Sequence, residues 1–245
     1  MGTVDLNADL GEIEGDLALI GVVSSASVAC GGHAGDESSM LEAARLAVAG
    51  GVSIGAHPSY EDRDGFGRRE VDLDPAQVAG SVGRQVGRLS DACAAAGGRI
   101  AYVKLHGALY HRANKDEACA VAIAEGLEIF ANLALLAPVD SVIARVWRSA
   151  GRHTAAEAFC DRGYEPDGTL VERGSPGDVL SPEAALAQGL AIARTGEVQT
   201  RGGHVVKVTA NSLCVHGDTP SALRIAKAVR NGLEDAGVEI RPFAT

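Results

Sequence analysis

The chain alternates short apolar runs with longer segments of helical period. Runs at 4–10, 27–30, 52–57, 100–106, 133–137, 154–160 and 212–216 are mostly too short for helices and end in polar loops, so they predict strands. Between them helix punctuation recurs. Ser39-Met40-Leu41-Glu42 reads as a capping box for a helix that stops at Gly50-Gly51. Asp74-Pro75-Ala76-Gln77 offers an N-cap, a proline at the first helical position and a reciprocal Gln, and Val78, Val82, Val86, Leu89 and Cys93 form one stripe behind it. Ser181-Pro182 and Thr219-Pro220 repeat that opening, and further helices are predicted over 116–130 and 140–151.

This β-α-β-α order implies parallel strands with helical crossovers, and about seven or eight such units fit a closed α/β barrel better than an open sheet. Two segments read as inserted β-hairpins, Tyr164–Arg173 around Asp167-Gly168 and roughly Val198–Val208 around Gly202-Gly203. No repeat or low-complexity linker divides the 245 residues, so a single domain over 1–245 is expected.

Composition excludes some functions. A net charge of −10 repels phosphate backbones and anionic membranes, and 4% aromatics are too few for base-stacking platforms, so neither nucleic acid nor membrane is an expected partner. Five cysteines without a CxxC pair point to free thiols in a reducing compartment. The opening MGTVDLNADLGE has no basic region followed by an apolar stretch, and Glu125, Glu128 and Asp140 interrupt the most apolar tract, so a cytoplasmic protein is expected.

Candidate chemistry lies at the predicted strand ends, on the face where parallel barrels build their sites. Strand one ends in Asn7-Ala8-Asp9, and four of the seven histidines, His33, His57, His106 and His216, follow other strands beside Gly or Ala. A structural role would account for one such histidine but not for four in equivalent places. Asp9 can orient a histidine, act as a base or bind a cation; Lys104 can stabilise an oxyanion, or simply pair with Asp9 or Glu157. Arg68-Arg69 can grip a carboxylate or stand solvated. Gly51-Val52-Ser53-Ile54-Gly55 matches a nucleophile elbow, but a strand continues where that motif needs a turn into a helix. No glycine-lysine Walker A loop, HExxH or strand-borne GxGxxG is present. Cys30 and Cys160 read as small buried residues rather than nucleophiles.

The stretches DLNADLGE (5–12), SSASVACGGHAGD (24–36), GVSIGAHPSYEDRDGFGRR (51–69), VKLHGALY (103–110), EAFCDRGYEPDGTLVERG (157–174) and SLCVHGDTP (212–220) together resemble the LamB/YcsF family over nearly the whole chain. The sequence departs from that pattern at Gly32, Leu105 and His111, where Phe, Pro and Asn are usual, and Gly11–Gly15 reads GEIEG. The resemblance implies a TIM-like (β/α)7 barrel related to the glycoside hydrolase/deacetylase superfamily. It also implies ATP-dependent opening of 5-oxo-L-proline to L-glutamate together with B and C subunits, ATP being bound elsewhere than in a Walker A loop here.

On that basis Asp9 with His57 or His106 is expected to activate water and Lys104 to hold the developing oxyanion. Asn7, His33, Asp36, Arg68, Asp161, His216 and Asp218 are the expected substrate-side residues, with Asp36, Asp161 and Asp218 positioning histidines. Related deacetylases hold a divalent metal in an opening that looks like NADD; here Leu10 replaces the second acid, and Asp9, His57 and His106 are the candidate ligands. The alternatives are a stand-alone metal-dependent deacetylase or amidase, and a non-catalytic component of the complex that presents the rim to partners.

Overall fold

The strand that opens the chain carries a strict alternation, and this decides what the middle of the molecule contains. In β1 (Thr3–Leu10), Val4, Leu6, Ala8 and Leu10 belong to the buried apolar core, while Asp5, Asn7 and Asp9 are equally buried yet bonded to polar groups of other strands. A period of two sends one set outward under the helices and the other into the lumen.

The computed structural model describes residues 2–219 and 221–245. After β1, a short 3-10 turn (Asp16–Gly21) leads to β2 (Ser25–Ala29), α1 (Glu37–Gly50), β3 (Ser53–His57), α2 (Pro75–Ala95), β4 (Ile100–Val103), α3 (Gly107–Ala113) and α4 (Glu117–Gly126). Then follow β5 (Ala134–Ala137), α5 (Val142–Ser149), β6 (Thr154–Phe159), α6 (Pro182–Thr195), β7 (Glu197–Gln199), β8 (Val205–Lys207), β9 (Ser212–His216), α7 (Ala222–Asp235) and β10 (Glu239–Ile240). Strands β1 to β6 pair in order, all parallel, and β9 pairs with both β6 and β1, which closes a seven-stranded (β/α)7 barrel. Among the described residues no helix is long and apolar enough to cross a membrane.

The predicted elements hold with two changes, and one helix signal falls partly outside the described residues. The first helix starts earlier than its capping box predicted: Asp36 is the N-cap, its carboxylate accepting the Ser39 N–H at 2.8 Å while Ser39 Oγ accepts the Asp36 N–H at 2.8 Å. The apolar run 100–106 is a strand only as far as Val103; Lys104-Leu105-His106 lead into α3, with His106 as its N-cap. Thr219-Pro220 precedes α7, but Pro220 lies outside the described residues. Of the two insertions, β7 and β8 form the expected antiparallel hairpin. The other is a minimal hairpin at the expected place: Tyr164 and Leu170 form a single antiparallel bridge astride Asp167-Gly168, the Glu165 N–H donating to the Thr169 carbonyl at 2.7 Å, and a second bridge, Arg162–Val179, ties its base.

Tyr102 fills the lower lumen. An added Cβ on Gly55 would lie 2.1 Å from its ring, so that strand position must be glycine. The Tyr102 hydroxyl is 3.0 Å from Ser27 Oγ, and the C-terminal tail seals the barrel below it: Phe243 packs on the ring at 4.9 Å, and Ser53 Oγ donates to the Ala244 carbonyl at 2.6 Å. Asp5 sits at this depth and accepts from Ser24, Ser25 and Ser212. With one end closed, the polar lumen opens at the C-terminal ends of the strands.

Candidate active site

A cavity of about 310 Å³ occupies that open end. Asp9, His57, Lys104, His106 and His216 contribute its ionisable floor, while Phe159, Tyr110, Leu170 and Val171 give it an apolar side. Arg68, Arg162 and Arg173 bring positive charge to the lining of this cavity in a chain whose net charge is −10.

Lys104 is the electrostatic centre. Its Nζ lies 2.8 Å from Asp9 Oδ1 and 2.7 Å from Glu157 Oε1, and donates also to Cys214 Sγ at 3.1 Å and Asn7 Oδ1 at 3.3 Å. Burial on its own would favour the neutral amine, but the charges of Asp9 and other neighbours reverse that, and the lysine pKa stands well above its ordinary value. Burial likewise works against ionised Asp9, yet His57 and Lys104 hold its carboxyl well below the usual range. The cysteines are not poised as nucleophiles. All five are unpaired and buried, and burial pushes Cys214 well up and Cys30 up to about 12.

Three histidines meet above this pair. His57, at the end of β3, directs Nδ1 to the Lys104 carbonyl at 2.8 Å and places Nε2 3.4 Å from Asp9 Oδ2. His106 directs Nε2 to the Phe66 carbonyl at 2.9 Å and places Nδ1 3.1 Å from His57 Nε2. His33 stacks on His106 at 3.7 Å, with Nδ1 2.9 Å from Ser59 Oγ and Nε2 2.8 Å from Glu12 Oε1. Burial pushes His33 down to about 4 despite that carboxylate. Glu12 turns back over the barrel because Gly11 takes a left-handed φ of 71°. Burial opposes its ionisation too, but His106 and His33 hold its pKa far below the usual carboxylate range.

His216 stands apart on β9, stacked on Phe159 at 5.3 Å. Asp161 accepts its backbone N–H at 2.9 Å and lies 3.1 Å from Nδ1, which fixes the ring. Burial would raise the Asp161 pKa, but His216 lowers it below its ordinary value. Below about pH 4 the unfolded chain therefore binds more protons than the folded one, and the contribution of Asp161, complete above that pH, is lost as pH falls towards the lower folded value. Asp161→Asn is expected to cost about 1–3 kcal/mol at about pH 5, with the gap closing below about pH 4 in urea unfolding series. A gap unchanged at pH 3 would rule out this role for the carboxylate.

The residues singled out in the sequence fall into distinct places. Asp9, His57, Lys104, His106, Arg68 and His216 all line the cavity. Asn7 lies in the lumen, donating to Ser212 Oγ at 2.8 Å, and His33 is buried behind Glu12. Asp36 does not meet a histidine; it is exposed and spends its carboxylate on capping α1. Asp161 does position His216, whereas Asp218 pairs with Arg68 and Arg173 instead of a histidine. Arg69 points away to Asp62. Glu12, Phe66 and Arg173 are additional participants. Their signal in the sequence is weak: Glu12 follows Gly11, and Phe66 lies between two glycines, one of which, Gly67, packs so closely on His33 and His106 that a Cβ would lie within 3.0 Å of both. At Gly32, Ser59 and Gln85 occupy the space that a larger side chain would need, each 2.5 Å from an added Cβ.

Among the described residues, two groups of donors lie close enough to hold a metal ion: Glu12, His33, His57 and His106; and Asp9, Cys214 and His216. The second does not fit, because Lys104 Nζ already sits against both Asp9 and Cys214 and the latter is held as a thiol. The first has the imidazole and carboxylate chemistry of a borderline divalent cation.

Comparison with known proteins agrees with this architecture. The model of the LamB/YcsF family matches residues 4–245. The chain is 46% identical over 246 residues to the 5-oxoprolinase A subunit of Methylococcus capsulatus, covering 97% of this chain and 95% of that protein. It is 45% identical over 249 residues to the corresponding protein of Streptomyces avermitilis, covering 98% and 100%. The crystal structure of a lactam utilization protein from Thermus thermophilus superposes with a TM-score of 0.91 at 42% identity, covering 98% of this chain and 100% of that one. A family 4 carbohydrate esterase from Streptomyces lividans shares the fold alone, with a TM-score of 0.51 at 14% identity over 98% and 91% of the two chains.

Proposed function

The chain belongs to the LamB/YcsF family, and from that premise we propose that it acts as the A subunit of an ATP-dependent 5-oxoprolinase, opening the lactam ring of 5-oxo-L-proline to give L-glutamate. The observation that carries this reading is the cavity in which an ionised carboxylate, a buried ammonium and an Asp-held histidine face one another beside an arginine rim. The B and C subunits are the proposed partners, and the complete complex consumes the ATP. The unpaired cysteines suit a cytoplasmic setting.

A lactam is a resonance-stabilised amide, so its hydrolysis needs an activated carbonyl, a positioned water and a proton for the leaving nitrogen. Arg68 and Arg173, which line the cavity and pair with Asp218, receive the substrate carboxylate in this reading. Asp9, beside His57, takes the proton of the attacking water. Lys104 keeps Asp9 ionised and offsets the negative charge that grows on the carbonyl oxygen. His216, fixed by Asp161, delivers a proton to the ring nitrogen as the C–N bond breaks. A divalent cation at the Glu12 and histidine cluster would acidify the water.

Reconstitution tests this directly. With the B and C subunits, ATP and 5-oxo-L-proline, glutamate is expected to form with the chain present and to fall to background when it is omitted. Equal rates with and without it, or ATP-independent turnover by the chain alone, would overturn the assignment.

A further inference from the structure

We propose that Glu12, His57 and His106 form the binding site of one divalent cation of the zinc class, with Glu12 and not Asp9 as the carboxylate ligand. Whatever the substrate, the ring nitrogens that carry hydrogen decide this. His57 Nδ1 faces the Lys104 carbonyl and His106 Nε2 faces the Phe66 carbonyl, and a carbonyl can only accept. Both of those nitrogens are therefore N–H donors. In neutral rings the lone pairs lie on His57 Nε2 and His106 Nδ1, which face each other at 3.1 Å in a buried setting. Two lone pairs so placed repel unless positive charge lies between them.

Glu12 Oε1 completes a triangle, 3.2 Å from His106 Nδ1 and 3.7 Å from His57 Nε2. Around zinc, with bonds of about 2.0–2.1 Å, tetrahedral donors stand about 3.3 Å apart, so the three edges match one face of such a site. Two histidines and a glutamate leave a coordination position for water. The carbonyls behind the two rings are the partners that orient metal-binding histidines. One of them is held at some cost, because Phe66 is the described non-glycine residue with a positive φ, 53°. Asp9 is a poorer ligand. Its Oδ1 is bonded to Lys104 at 2.8 Å, and its Oδ2 approaches His57 alone, at 3.4 Å, whereas Glu12 Oε1 lies against both rings. The ammonium already supplies the cation that Asp9 needs.

Tag-free protein stripped with chelator would be titrated with Zn(II) by calorimetry and with Co(II) by visible absorption. One ion per chain is expected to bind with a Kd of about 1 µM or tighter. Glu12→Ala, His57→Ala and His106→Ala should each weaken binding by about 100-fold or more, and Asp9→Asn by less than about threefold, circular dichroism confirming each fold. X-ray absorption at the zinc edge of the unsubstituted protein, which needs no variant to fold, should show two imidazoles. Failure of the folded protein to bind Zn(II), a three-imidazole signature, or loss on Asp9→Asn with normal binding by Glu12→Ala would each overturn the assignment. Each of these outcomes is read on the isolated chain, so failure of the metal site and failure of the reconstituted turnover that tests the proposed function are distinguishable.

Discussion

Replacing Lys104 with Met is expected to abolish turnover of the reconstituted complex and to destabilise the chain by about 3–5 kcal/mol. Methionine keeps most of the volume but removes the ammonium that faces Asp9 at 2.8 Å and Glu157 at 2.7 Å. Both carboxylates are buried, and a buried charge without its partner costs far more than the intact pair contributes. The thermal midpoint should fall by about 10 °C for a chain of this size. Loss of a donor that steadies a developing oxyanion adds a drop of about 10²–10³ in kcat. Adding Glu157→Gln to Lys104→Met separates the two effects: stability should return in part, since one orphaned charge is gone, while turnover should not. If the double variant regains activity, Lys104 serves the fold and not the reaction.

Asp9→Asn is expected to lower kcat of the complete complex by about 10²–10⁴ while leaving KM nearly unchanged and costing about 1–3 kcal/mol of stability, less than Lys104→Met because Glu157 still faces the ammonium at 2.7 Å. The amide is isosteric, and its oxygen can still accept from Lys104, so the lumen keeps its packing. What disappears is a carboxylate that can take a proton from water beside His57. A kcat within about tenfold of the unsubstituted complex would remove Asp9 from the proposed chemistry. A fall in stability as large as that of Lys104→Met would instead assign the residue to the fold.

Much of this was legible in the chain itself. The order of short apolar runs and capped helices specifies a parallel barrel, because helix punctuation and strand length are local properties of a few neighbouring residues. Chain direction then assigns the strand ends to one rim, which is why Asp9, His57, Lys104, His106 and His216 could be picked out and do line one cavity. The pairing of Lys104 with Asp9 and Glu157 was among the readings that the residue types allowed, and both contacts are present.

Where the sequence fell short, the deciding contacts cross loops. Asp36 carries the same carboxylate as Asp161, but one caps α1 in solvent and the other is buried against His216. Glu12 reaches the histidines only because the chain reverses at Gly11, and His106 is aimed by a carbonyl from a loop 40 residues away. Residue type and order determined the fold, the rim and the candidate groups, since these follow from backbone periodicity and direction. Which carboxylate faces which nitrogen was decided by tertiary structure alone, because loop paths are set by packing against distant parts of the chain and a shift of a few ångströms exchanges one partner for another.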